Sequence, residues 1–247
     1  MVLEKPKEWV IAHSSDELTS QQKERLDNLL VRLADGEPLS YLTGKKAFFG
    51  MDFFVTKDVL IPRPETELLV EEAIQWLTDH PSRHVVADVG TGSGAIAVVL
   101  ADAFADLEIT AIDISPTALE IAKKNCVTYN HQDKIKFLQN DLLEGLSQKF
   151  DLIIANLPYI PSATLLQLPE LQYEPQNALD GGEDGTKYIS RLLQQAVDRI
   201  KPGGMILLEI EATISDTVSS LSKKYFQDAK IDLLFDYASF PRIIKIN

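Results

Sequence analysis

Val85-Val86-Ala87-Asp88-Val89-Gly90-Thr91-Gly92-Ser93-Gly94 is the stretch whose reading decides the fold. A short apolar run with the look of a buried strand gives way to glycines at 90, 92 and 94, and an apolar helical run starts at Ala95. Glycines here let the backbone turn tightly and bring a helix N-terminus against a ligand without Cβ obstruction. The unit alone does not name its ligand. Gly90, Gly92 and Ala95 also fit a dinucleotide fingerprint, and some turns of this kind merely pack tightly.

Working outward, apolar runs at 84–89, 109–113, 135–138, 151–155 and 204–210 alternate with helical segments, the pattern of a parallel, doubly wound sheet. Ser115-Pro116 opens the helix after the second of these strands as N-cap and first-turn proline, and Lys201-Pro202-Gly203-Gly204 is expected to turn into the fifth. A helix is expected near 213–226. Runs at 231–235 and 242–246 complete seven strands, and the connection between them is too short for a crossover helix, so they should be antiparallel. Upstream, residues 20–34 place Leu26, Leu29, Leu30 and Leu33 on one helical face and stop at Asp35-Gly36. Ala47-Phe48-Phe49 and Phe53-Phe54-Val55 read as a hairpin around Gly50-Met51-Asp52, and a helix follows Pro64 from Glu65 to Asp79. The expected organisation is a short helical appendage at 1–45, a β-hairpin linker at 46–61 and the main α/β domain at 62–247.

The chain has 247 residues, enough for one α/β domain and a small appendage. Its formal charge of −13 should repel phosphate backbones, so direct nucleic-acid binding is not expected. A lone cysteine, Cys126, cannot form an internal disulfide, and the first twenty residues lack a long apolar run; a cytoplasmic protein without a membrane span is expected. The four histidines show no ligand spacing with Cys or Glu, so no metal site is expected. Cys126 shares a helical face with Leu119, Ala122 and Tyr129 and reads as core filler, as does Trp76.

Three further features carry chemistry. Asp113 ends the second strand 19 residues after Gly94, where its carboxylate can take both hydroxyls of a ribose; the alternative is a first-turn helix acid near Ser115. Asp141 follows the third strand at the carboxyl edge of the sheet and can accept from an adenine amino group, or is a solvated loop acid. Asn156-Leu157-Pro158-Tyr159 ends the fourth strand in the same crevice. An amide or aromatic amine nitrogen is a poor nucleophile because its lone pair is delocalised. A site that methylates it must hold the NH₂ and aim that pair at the methyl group. The Asn156 side-chain oxygen and the Leu157 carbonyl can each accept one N–H, Pro158 fixes the turn, and Tyr159 can pack over the planar group. An ordinary Asn-initiated turn is the plain alternative. The acidic, glycine-rich segment 174–185 reads as a lid or binding loop.

In combination, Asp35 to Gly44, Leu60-Ile61-Pro62-Arg63-Pro64-Glu65-Thr66-Glu67, the Gly90 to Gly94 turn, Asn156 to Tyr159 and the Ala178 to Gly185 loop resemble the HemK/PrmC family of release-factor glutamine N5-methyltransferases. The resemblance runs from about residue 9 to the C-terminus. It implies a Rossmann-like, seven-stranded S-adenosylmethionine-dependent methyltransferase fold. It further implies that Gly90, Thr91, Gly92, Ser93, Gly94, Asp113, Asp141, Leu142 and Asn156 line the cofactor site, while Asn156, Leu157, Pro158 and Tyr159 hold the acceptor. That acceptor would be the glutamine of the Gly-Gly-Gln loop of class I peptide chain release factors, met by a monomeric enzyme. Arg63 would lie near the crevice mouth. The chain departs from the family pattern in three places: Leu157 where proline is usual, Glu211-Ala212-Thr213 where glycine and then glutamine often follow Glu-Ile, and an N-terminal region shorter by several tens of residues. Amino-group methylation of adenine or of a ribosomal-protein glutamine fits the same turn. A cofactor-binding module without turnover is a further reading, whereas an NAD-dependent oxidoreductase lacks a hydride-transfer site downstream of the glycines.

Overall fold

The computed structural model describes residues Val2–Asn247. Three helices, α1 (Lys7–Ala12), α2 (Ser20–Ala34) and α3 (Leu39–Thr43), precede a hairpin of β1 (Lys45–Phe48) and β2 (Met51–Phe54). Thr19 caps α2 in a reciprocal capping box with Gln22. Leu26 and Leu29 are half-buried but Leu30 and Leu33 of the same apolar face are exposed, so this face is only partly covered. The hairpin differs from the expected strand limits. Phe48 pairs with Met51 across a two-residue loop, and Phe49 and Gly50 both have positive φ, 50° and 75°. That is the geometry of a tight primed turn, which matches strand twist and draws Met51 and Asp52 into the second strand.

The linker leads into α4 (Glu65–Asp79), then β3 (Val85–Val89), α5 (Ala95–Ala103), β4 (Glu108–Asp113), α6 (Pro116–Thr128), β5 (Ile135–Gln139) and β6 (Phe150–Ala155). After a short α7 (Ser162–Leu165) come α8 (Lys187–Ala196), β7 (Ile200–Glu209), α9 (Ser215–Tyr225), β8 (Ile231–Phe235) and β9 (Pro241–Ile246). Here β7 starts four residues before the expected strand, because Phe150 pairs with Ile200 ahead of an irregularity that includes the Pro202-Gly203 stretch. Likewise α9 starts after a single 3₁₀ turn at Ala212–Ile214, capped by Glu211.

Seven strands form one sheet in the order β5-β4-β3-β6-β7-β9-β8, parallel except that β9 runs antiparallel to both of its neighbours. Alternate residues feed two cores. Leu152 and Ile154 pack with α4 and α5 on one face, and Ile153 and Ala155 pack with α8 and α9 on the other. Burial on both faces explains why these strands read as continuous apolar runs. Strand order reverses between β3 and β6, and the crevice outside their carboxyl ends is where a doubly wound sheet accepts a ligand.

Asn125, buried on α6, ties the hairpin to this crevice. Its Oδ1 accepts from Phe54 N (2.8 Å), and its Nδ2 donates to Phe54 O (2.9 Å) and Ser93 O (2.8 Å). Removing the side chain leaves those backbone groups unpaired in the interior, a cost of about 2 kcal/mol or more. Asn125→Ala should therefore lower the melting temperature by roughly 4–8 °C, and thermal unfolding followed by circular dichroism checks it.

Candidate active site

The Gly90–Gly94 turn is held from beneath. Gly90 N and Thr91 N donate to Ile112 O at 2.8 and 2.9 Å, which ties the turn to the end of β4. The Thr91 hydroxyl donates to Asp88 Oδ2 (2.6 Å), and Ala97 N, in the first turn of α5, donates to the same oxygen (3.2 Å). Asp88 is fully buried and its Oδ1 has no partner among the described residues. Burial pushes its carboxyl up to about 7, against the opposing pull of these two donors. Gly90 sits at φ 76°, and a Cβ there would come within 2.9 Å of the Leu157 side chain. Gly94, at φ 78°, has Ala122 of α6 where a Cβ would lie. One glycine thus admits the Asn156–Tyr159 turn and the other admits a helix.

The crevice is a cavity of about 530 Å³, of a size that suits a nucleoside-bearing ligand. Gly90 to Ser93, Asp113, Asp141, Leu142, Asn156, Leu157 and Pro158 all line it, together with Arg63 and Thr66. Asp113 accepts from Gly92 N (2.8 Å, on Oδ2) and Ser115 N (2.9 Å, on Oδ1). Each oxygen keeps a lone pair for a ribose hydroxyl. Burial raises its carboxyl, and the backbone donors partly offset this. Asp141 is not a free loop acid: Arg191 of α8 donates to its Oδ2 at 2.8 Å. Leu142 takes a left-handed φ of 54°, held by the Asn140 side chain, which donates to Leu142 O at 3.0 Å. Non-glycine residues in that region carry strain that a site can retain.

Asn156 donates through Nδ2 to Thr66 Oγ1 (3.1 Å), while its Oδ1 has no protein donor among the described residues. Leu157 is buried against the glycine turn, so the leucine fills volume while the turn's main chain is kept. Tyr159 departs from the expected stacking position. It does not line the cavity; its ring joins the core beneath β7, and its hydroxyl lies 3.4 Å from Glu209 Oε1. Burial raises the phenol, with the nearby Glu209 charge adding to the effect. Gly94 is also off the lining, acting as the N-cap of α5. Glu211 caps its own turn by accepting from Thr213 N (3.0 Å) and contributes nothing to the cavity wall.

The linker residues take separate roles. Arg63 pairs with Glu174, which also accepts from Ile61 N (3.2 Å), fastening the linker to the 174–185 loop. From that loop Asn177 and Ala178 reach the cavity. Thr66 contacts Asn156, and Glu67 Oε1 accepts from Phe49 N (2.8 Å) in the hairpin. Glu209 is 2% exposed with Oε2 unpaired among the described residues; burial pushes it up to about 7, and the hydroxyls of Thr66 and Tyr159 oppose this. No His/Cys/Asp/Glu cluster among the described residues is placed to hold a metal ion.

A model of the PrmC N-terminal domain matches residues 1–44, and one of the methyltransferase small domain matches residues 65–166. Release factor glutamine methyltransferase from Koribacter versatilis is 38% identical over 240 residues, covering 96% of this chain and 84% of the relative. The chain belongs to the release factor glutamine methyltransferase family. The Rhodopirellula baltica member is 39% identical over 234 residues, covering 92% of this chain and 79% of its own length. A solved T. thermophilus 16S rRNA N2 G1207 methyltransferase in complex with AdoMet and guanosine shares the fold, with a TM-score of 0.59 at 18% identity. That match covers 82% of this chain and 49% of that one.

The Asp88 carboxyl binds its proton more tightly in the folded chain than an unfolded aspartate does, so its contribution is present at low pH and is lost as pH rises from about 4 to about 7. Asp88→Asn removes this dependence. Its stability relative to the unmodified protein should climb between pH 5 and pH 7 by at most about 1.4 kcal/mol per pH unit, measured by urea unfolding across that range.

Proposed function

We propose that this protein transfers the methyl group of S-adenosylmethionine to the side-chain amide nitrogen, N5, of the glutamine in the Gly-Gly-Gln loop of class I peptide chain release factors. The observation that carries this reading is the free Asn156 Oδ1 beside the Leu157 main chain, on the wall of a cavity that also holds the glycine turn and Asp113. Family membership supplies the release-factor substrate.

The residues present suit the methyl donor. Gly90 to Ser93 offer a turn close enough for a ligand to lie against main chain, Asp113 has lone pairs to spare for ribose hydroxyls, and Leu142 offers an apolar surface with Asp141 beside it. When bound, S-adenosylmethionine supplies a methyl group activated by its sulfonium for in-line displacement. The chain's task is then to hold the acceptor. Asn156 Oδ1 and the Leu157 carbonyl each accept one amide N–H, which favours pyramidal nitrogen and stabilises the positive charge that develops there. No side chain has to remove a proton first, since the proton can leave after transfer.

The half-covered leucine face of α2 lies in the part of the chain that matches the PrmC N-terminal domain, and we take it to meet the release factor. The charge of −13 argues against adenine in nucleic acid as the acceptor. No helix among the described residues is long and apolar enough to cross a membrane, and we propose a monomer acting in the cytoplasm.

Incubation with radiolabelled donor and, separately, intact release factor, a Gln-to-Ala release factor, ribosomal proteins and DNA tests the substrate. Label on intact release factor alone is expected; label on DNA overturns the reading. Asn156→Ala should lower kcat by roughly 10² to 10³ fold with nearly unchanged cofactor affinity by calorimetry. Asp113→Ala should instead weaken cofactor binding by about tenfold or more, since it removes a charged hydrogen-bond acceptor.

A further inference from the structure

The hairpin that closes the sheet has its tip at the crevice end. β9 runs antiparallel to β7 with Glu209 opposite Ile243, so Pro241 and Arg242 lie beyond the carboxyl edge of β7, where Ile210 N donates to Arg242 O at 2.8 Å. Phe235 of β8 stands opposite Pro241. Residues 236–240 therefore project from the same end of the sheet as the Gly90–Gly94 and Asn156–Tyr159 turns. Aromatic side chains cover this tip: Tyr237 is 93% exposed, Phe240 54% and Phe235 53%.

The tip is an ordered turn. Asp236 N donates to Phe240 O (2.9 Å), and Asp236 Oδ1 accepts from Ala238 N and Phe240 N, both at 2.9 Å. Its Oδ2 accepts from Arg242 Nε at 2.8 Å. One carboxylate thus holds the turn, and none of these bonds uses an aromatic side chain. A single exposed apolar residue is ordinary on a protein surface. Phe235, Tyr237 and Phe240 crowded into six residues have instead the composition of a protein interface, in which Tyr and Phe are enriched. A turn already held in place also loses little freedom when a partner covers it.

Position identifies the partner. In the strand order β6-β7-β9-β8 the tip lies two to three strand spacings from the end of β6, about 10–14 Å. A typical interface takes roughly 800 Å² of each protein, a patch on the order of 16 Å in radius. A folded protein that delivers a side chain to the Asn156–Tyr159 turn therefore reaches the hairpin tip as well. The chain's charge of −13 disfavours anionic lipid surfaces and nucleic acid as occupants.

We propose that the β8–β9 tip, through Phe235, Tyr237 and Phe240, is a docking surface for the release factor whose glutamine enters the crevice. The inference rests on the release-factor reading above and adds a contact separate from the α2 face.

The test compares Tyr237→Ser, Phe240→Ser, their double variant and Tyr237→Phe in full-length protein, with intact release factor and labelled S-adenosylmethionine. Each serine variant should raise Kd and KM for release factor roughly tenfold, and the double variant more. The rate at saturating release factor, the cofactor affinity and the melting temperature should stay at wild-type values, the pattern of lost uniform binding. Tyr237→Phe keeps the ring and should bind nearly as wild type does. Wild-type affinity in the double variant overturns the inference, as does a fall in kcat at unchanged KM. Should Phe240→Ser lower the melting temperature, the more exposed Tyr237 decides it: a Tyr237→Ser protein that binds release factor like wild type overturns the inference. Wild-type dimers in sedimentation that the double variant dissolves, with release-factor affinity intact, assign the tip to a second copy and overturn it. Vesicles of anionic phospholipid that bind wild type but not the double variant, again with release-factor affinity intact, overturn it in favour of a lipid surface. Absence of transfer from the unmodified protein to intact release factor sinks the parent reading and this inference with it; transfer with unaltered affinity in the double variant sinks this inference alone.

Discussion

β3 and β6 lie side by side and parallel, with Val89 opposite Ala155, although β4 and β5 intervene in the sequence. The site depends on this pairing. It delivers the two chain reversals that follow these strands, Gly90–Gly94 and Asn156–Tyr159, to one end of the sheet. Contact between them is so close that Gly90 has no room for a side chain beside Leu157. Under the proposed function, a donor on the first turn and an amide held by the second would be neighbours because of the sheet, before any loop flexibility is considered.

Around that contact the chain places three supports of different kinds. Asp88 stiffens the glycine turn from within the core, accepting from Thr91 and Ala97 at the expense of a raised carboxyl. Asn125 draws the hairpin onto Ser93 of the same turn. The linker from Pro62 to Glu67 works as a junction, fixing the 174–185 loop through Arg63, the Asn156–Tyr159 turn through Thr66 and the hairpin through Glu67. A run of six residues is thereby given most of its side-chain chemistry by structural contacts that converge on one crevice.

Much of this was legible in the residues. Seven strands, their parallel character, the reversed final strand and the two turns follow from apolar runs, glycine positions and connection lengths. What escaped depended on long-range partners. Asp141 looks like any loop acid until Arg191, fifty residues later, is seen beside it. Tyr159 belongs to an Asn-x-Pro-aromatic turn and so suggested stacking on the acceptor, yet its hydroxyl and ring are drawn to Glu209 and the core. Nothing in Glu209 itself announces burial; the signal available was an acid directly after the apolar strand Met205 to Leu208, in register with Asn156. The hairpin limits shifted by a residue or two because a two-residue turn at Phe49-Gly50 outweighed the run of aromatic residues.

The most direct measurement is a crystal structure of the protein with S-adenosylhomocysteine and a peptide carrying the Gly-Gly-Gln sequence. The glutamine amide nitrogen is expected within hydrogen-bond distance, about 2.7–3.2 Å, of both Asn156 Oδ1 and the Leu157 carbonyl oxygen, with its free face toward the sulfur. A glutamine bound elsewhere, or an Asn156 oxygen engaged by Thr66 while the peptide is in place, would contradict it.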